Sequence, residues 1–114
     1  MSKNKYLSKS DFYYDTSPKV RRRDGKGHVV YRTAVHNKKS KINVITHSDT
    51  FFGEPTHSLS RNPEIGSSYK KTSRFSVPRW ENTHYLKHVK GFWRLSPSDK
   101  KKIKKFNSKY KYKK

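Results

Sequence analysis

The chain contains no cysteine, which excludes disulfides and thiolate metal sites and fits a reducing cytoplasm. It is poor in acids, with 8 Asp and Glu against 29 Lys and Arg in 114 residues. Those acids are scattered, whereas a two-metal nuclease needs clustered carboxylates, so that class is not expected. No apolar run approaches the roughly 18 residues of a membrane-crossing helix, and no charged-then-apolar leader follows Met1. Neither a span nor a membrane partner is therefore expected. There is no P-loop, no dinucleotide fingerprint and no helical His-Glu-x-x-His, so no cofactor is expected. His84 and His88 stand four apart without a third ligand nearby, and no metal site is expected there.

What is abundant is positive charge. The formal net charge is +21 at pH 7, with a pI of about 10.3. Such an excess repels itself in a compact chain and matches a polyanionic partner, nucleic acid first among them. Hydrophobic residues make up only 29%, low for a globular domain, yet aromatics reach 14%, high for a disordered one. This balance predicts a small core flanked by basic ends. Residues 1–19 read as a basic and aromatic arm, 20–107 as one small domain, and 108–114 as a Lys/Tyr tail.

Along the domain the pattern is mainly β with a C-terminal helix. His28 to His36 is rich in Val, Tyr and Thr, and Lys41 to Ser48 alternates around Ile42 and Val44, with Asn37 to Ser40 as a hairpin loop between them. Ile45 breaks the alternation and predicts burial on both faces at mid-strand. Asp49 to Ser67 holds two Gly and two Pro and predicts a long binding loop, with one short strand near His57 to Leu59. Arg74 and Ser76 alternate with Phe75 and Val77, predicting a half-buried strand with a guanidinium and a hydroxyl on its polar face. Glu81 to Val89 has Tyr85, Leu86 and Val89 at helical spacing before Gly91, predicting a short helix. Ser96-Pro97-Ser98-Asp99 is a helix start in which Ser96 caps and Asp99 completes a capping box, and Ile103, Phe106 and Tyr110 form its apolar stripe.

Metal-free RNA cleavage needs a base for the 2′-hydroxyl, a cation for the developing phosphorane charge and an acid for the leaving oxygen. His28 or His47 suits the base, Arg74 the charge stabiliser, and Thr46 or Ser76 a positioning hydroxyl. The nucleic-acid contacts expected are Arg21, Arg22 and Arg23 in a basic loop, Arg79 after Pro78, and the interleaved Lys109, Tyr110, Lys111 and Tyr112. Such a tail offers phosphate neutralisation and base stacking together.

The order of these segments resembles the MazF/PemK (Kid) family of toxin ribonucleases. Arg22-Arg23 followed by His28-Val29-Val30 is similar to the family's basic loop and first apolar strand. Val44-Ile45-Thr46-His47-Ser48 resembles its strand ending in Ile-Thr-Ser, with His47 inserted. Arg74-Phe75-Ser76-Val77-Pro78-Arg79 resembles the Arg-x-Asp-x-Pro-Arg of some members, with Ser76 where those members carry Asp. Gly91 and Leu95-Ser96-Pro97-Ser98-Asp99 resemble the closing Gly-x-Leu and helix, with Phe92-Trp93-Arg94 lengthening the connection. The likeness spans residues 20–107. It implies a small SH3-like β-barrel with a C-terminal helix, a homodimer, an acidic antitoxin partner and metal-independent cleavage of single-stranded RNA. It assigns catalysis to Arg74, with Ser76 and Thr46 as neighbouring hydroxyls. The alternative is a non-catalytic RNA- or DNA-binding accessory protein, ribosome-associated or encoded by a mobile element.

Overall fold

The β-branched run on either side of Asn37-Lys38 folds into the hairpin on which everything else is laid. Strands β2 (His28–His36) and β3 (Lys39–Thr46) pair antiparallel, and Asn37 takes a φ of 56° in the two-residue turn between them. Asn tolerates this left-handed region better than most residues, and tight hairpin turns require it. The computed structural model describes residues 11–18, 27–66 and 72–110.

β1 (Phe12–Asp15) pairs with β2 on one edge and with β9 (Leu86–His88) on the other. Residues 12–15, read above as part of an arm, are thus an interior strand. Gly27 lets this happen, because a Cβ there would stand 2.6 Å from the Asp15 carbonyl oxygen. On the far side of β3, two strands share one edge. β8 (Arg79–Asn82) pairs with residues 39–42, and β7 (Arg74–Phe75) pairs with Ile45 and Thr46 and also with β6 (His57–Ser58). Ser76 fills the gap between them. Its N–H donates to Val44 O (2.9 Å), and its Oγ accepts from Val44 N (2.8 Å). β4 (Thr50–Phe51) and β5 (Glu54–Pro55) form a separate hairpin whose turn, Phe52-Gly53, has φ of 53° and 77°. Two successive positive values define a type I′ turn.

β3 is buried from Ile42 to Ile45, as its broken alternation predicted, because both faces of the sheet carry a core. Tyr13, Val30, Ile42 and Val44 form one. Phe12, Ile45, Leu59 and Phe75 form the other, which α1 (Pro97–Asn107) covers with Ile103. Ser96 caps α1, accepting from Asp99 N at 3.2 Å, with Pro97 in the first turn. The Asp99 carboxylate does not close a capping box. It crosses to Ser60, accepting from Ser60 N (2.9 Å) and Oγ (3.0 Å). The last turn is fastened by Asn107. Asn43 Nδ2 donates to Asn107 Oδ1 (2.9 Å) and Asn107 Nδ2 donates to Asn43 Oδ1 (2.8 Å), a reciprocal buried pair.

Further expectations are corrected. Glu81 to Val89 is not a helix; it is the end of β8, one 3-10 turn (Thr83–Tyr85) and β9. Its apolar residues sit at spacings a strand–turn–strand also produces, and the edges of β3 and β1 are there to be paired. Gly91 does take a positive φ (84°), but at a loop and not after a helix. Ser76 does not stand beside Arg74 on a polar face. It is buried, and the strand ladder stops at Phe75. The hairpin turn is Asn37-Lys38, since Lys39 and Ser40 belong to β3, and the 49–67 stretch holds β4 and β5 as well as the short strand β6. The coarse class is as read: mainly β, with one C-terminal helix.

Candidate nucleic-acid interface

Three of the residues singled out for catalysis meet in one cleft. Gly27, His28 and Val29 form one wall at the start of β2. Ile45, Thr46 and His47 form the other at the end of β3, and Asn62, Glu64, Ser73 and Trp93 complete a volume of about 360 Å³. The positions follow from the hairpin, whose antiparallel register sets the first residues of β2 beside the last residues of β3. The imidazole of His47 is oriented by Nδ1 against Thr72 O (3.0 Å). His28 meets Phe51 edge-on, with ring centroids 5.4 Å apart. Thr46 Oγ1 accepts from Ser48 N at 3.2 Å, stiffening the turn that carries His47.

Arg74 is the register partner of Thr46, but its fork is engaged elsewhere. Nε donates to Thr56 Oγ1 (2.7 Å) and Nη2 to Thr56 O (2.8 Å). The Thr56 hydroxyl in turn donates to Ser48 O (2.6 Å). Arg74 therefore clamps the segment after His47 and is not among the residues lining the cleft. Ser76 is spent on the backbone of β3. Arg79 lies over the Phe52 ring (4.5 Å to the centroid), with its Nε 3.8 Å from Glu81 Oε2. Lys109 Nζ lies 5.9 Å from the Phe106 ring centroid, and the Tyr110 ring packs against Phe106 at a tilt, with centroids 5.3 Å apart. Arg21, Arg22, Arg23, Lys111 and Tyr112 lie outside the described residues.

Sequence reasoning did not find Asn62, Glu64, Ser73 or Trp93. The length of the 49–67 loop was the available signal; it pointed to a binding loop without saying which residues face inward. It also missed a larger cleft of about 550 Å³ between sheet and helix. Arg32, Lys41, Lys100 and Lys104 surround this cleft, with Asp11 and Tyr31 among its walls. Burial raises the pKa of both Asp11 and Tyr31, and Arg32 and Lys100 pull Asp11 back down. Lys41 loses some basicity through burial, and its Nζ donates to the carbonyls of Asn107 (3.3 Å) and Tyr110 (2.6 Å). Among the described residues no three His, Asp or Glu side chains converge as metal ligands.

Neither a family model, nor a curated protein, nor a solved structure matches this chain.

Proposed function

We propose that the protein is a nucleic-acid-binding protein of the MazF/PemK-like toxin type that cleaves single-stranded RNA without metal at the His28–Thr46–His47 cleft. The observation that carries this reading is the convergence of two imidazoles and a hydroxyl on one cleft in a chain of net charge +21. Both imidazoles line the cleft, and cleavage would use one as a neutral base and the other as a protonated acid. The neutral ring takes the 2′-hydroxyl proton as the 2′-oxygen attacks the adjacent phosphorus. The protonated ring gives its proton to the departing 5′-oxygen, leaving a 2′,3′-cyclic phosphate. Thr46 positions the phosphate, and Arg74 acts through Thr56 to hold His47 in place. The family-like fold is supported by connectivity. The 3-10 turn joins β8, on the edge of β3, directly to β9, on the edge of β1, and Tyr13, Val30, Ile42 and Val44 pack together on these strands and their neighbours. A closed SH3-like barrel would use such a connection, which supports that reading.

One observation favours the second reading, binding without cleavage: among the described residues, no Lys or Arg lines the cleft. A long single-stranded RNA incubated with the protein in EDTA separates the two. Discrete products ending in cyclic phosphate, lost in both His28→Ala and His47→Ala, support cleavage. Intact RNA that shifts on a native gel supports binding alone. RNA neither cut nor shifted removes both.

A further inference from the structure

Beside the histidine cleft the chain exposes an aromatic ring that packing does not require. Phe92 is 79% exposed and Ile65, opposite it, is 57% exposed. Their backbone is well held. Glu64 and Trp93 form an antiparallel bridge, Ile65 N donates to Phe92 O (2.8 Å) and Arg94 N donates to Pro63 O (2.8 Å). Trp93 turns inward, with its Nε1 donating to Lys90 O (2.9 Å) and its ring 5.5 Å from Phe12, centroid to centroid. Phe92 is thereby fixed outward, with exposed Lys90 and Arg94 two residues away on either side. Glu64 and Trp93, the immediate neighbours of Ile65 and Phe92, both line the cleft.

An exposed cation on either side of an exposed aromatic ring matches the repeat of single-stranded nucleic acid, in which phosphates alternate with unpaired bases. A duplex keeps its bases stacked on each other and offers no face to such a ring. We propose that Lys90, Phe92 and Arg94 form a platform on which an unpaired base stacks on Phe92 while its flanking phosphates meet Lys90 and Arg94, making the surface selective for single strands. The inference rests on the nucleic-acid reading above, and it assigns the strand next to the cleft to this platform whether or not the cleft cuts it.

The test uses a 2′-O-methylated RNA decamer, which cannot be cleaved by 2′-hydroxyl attack, and a duplex of the same sequence. Affinities are measured for the unaltered chain, Phe92→Ala and Phe92→Tyr. Phe92 is exposed, so neither variant disturbs the core. Removing one stacking aromatic typically weakens single-strand binding roughly ten-fold or more. Phe92→Ala should show that loss with the decamer only, duplex affinity being unchanged, and Phe92→Tyr should restore it. If Phe92→Ala binds the decamer as the unaltered chain does, the platform is overturned while the nucleic-acid reading stands. If it instead changes only the elution volume on a sizing column, the patch is a protein-docking surface and the platform is again overturned. If the unaltered chain binds neither RNA, both fall together.

Discussion

Asp15 is the residue whose surroundings suit its charge least. It is fully buried; Oδ1 accepts from Ser17 N at 2.9 Å, whereas Oδ2 has no hydrogen-bond partner among the described residues. Burial, reinforced by the negative field of Glu81 and opposed by Arg79 and the Ser17 bond, raises its pKa to about 6. The folded chain therefore binds more protons than the unfolded one between roughly pH 4 and 6, and stability falls as pH rises through that window. Asp15→Asn keeps the Ser17 bond and removes the charge. It should raise the melting temperature at pH 8, by roughly 1–3 kcal/mol of stability, and flatten the profile between pH 4 and 6. His57 runs the other way. Burial and the nearby charges of Lys102, Arg74 and Lys109 lower its pKa, and its ring packs on Phe106 with centroids 4.3 Å apart. Its unfolded state takes up the proton first, so acidification through the ordinary histidine range destabilises the fold. His57→Phe keeps the ring contacts and should lessen the stability lost between pH 7 and 5, as read by thermal melts across that range.

The elements differ in how much of them the sequence displayed. The β2–β3 hairpin was visible because its β-branched residues and its turn agree locally. The start of α1 was visible because Ser96 and Pro97 act within one turn. What stayed hidden depends on partners far away in the chain. The inward turn of Ser76 answers a gap on β3, the Arg74 fork is taken by Thr56, and β9 exists because β1 has an edge to pair. The candidate cleft was half legible: His28, Thr46 and His47 were named, but their meeting rests on hairpin register, and its other walls come from loops. Asn107 shows the same limit at the end of α1. An apolar stripe ending in Phe106 and Tyr110 gave no hint that a polar residue holds the last turn to the sheet. Thermal melts test this directly: Asn107→Ala, which strands buried Asn43, should cost about 1–3 kcal/mol.

At the scale of the whole molecule, charge is the dominant property. If the chain binds single-stranded RNA as proposed, its 29 Lys and Arg offer contacts to many phosphates at once. For 6–10 such contacts, affinity should fall by about 10³–10⁵ between 50 and 200 mM salt, as a titration by fluorescence anisotropy would show. Affinity independent of salt would leave the positive charge without a polyanion to explain it.

The order in which the sheet is assembled also sets how the chain can fold as it is made. β1 is synthesised well before the segments that cover it: one of its edges pairs with Leu86–His88, and the core beneath Phe12 is completed by Leu95 and Ile103. Until residue 107 is in place, a nascent chain carries an open strand edge and an uncovered aromatic face, the two features that invite wrong pairing between chains. The β2–β3 hairpin can form early and alone. β1 must wait for partners far along the chain, so the closure between these distant segments should be the slow folding step.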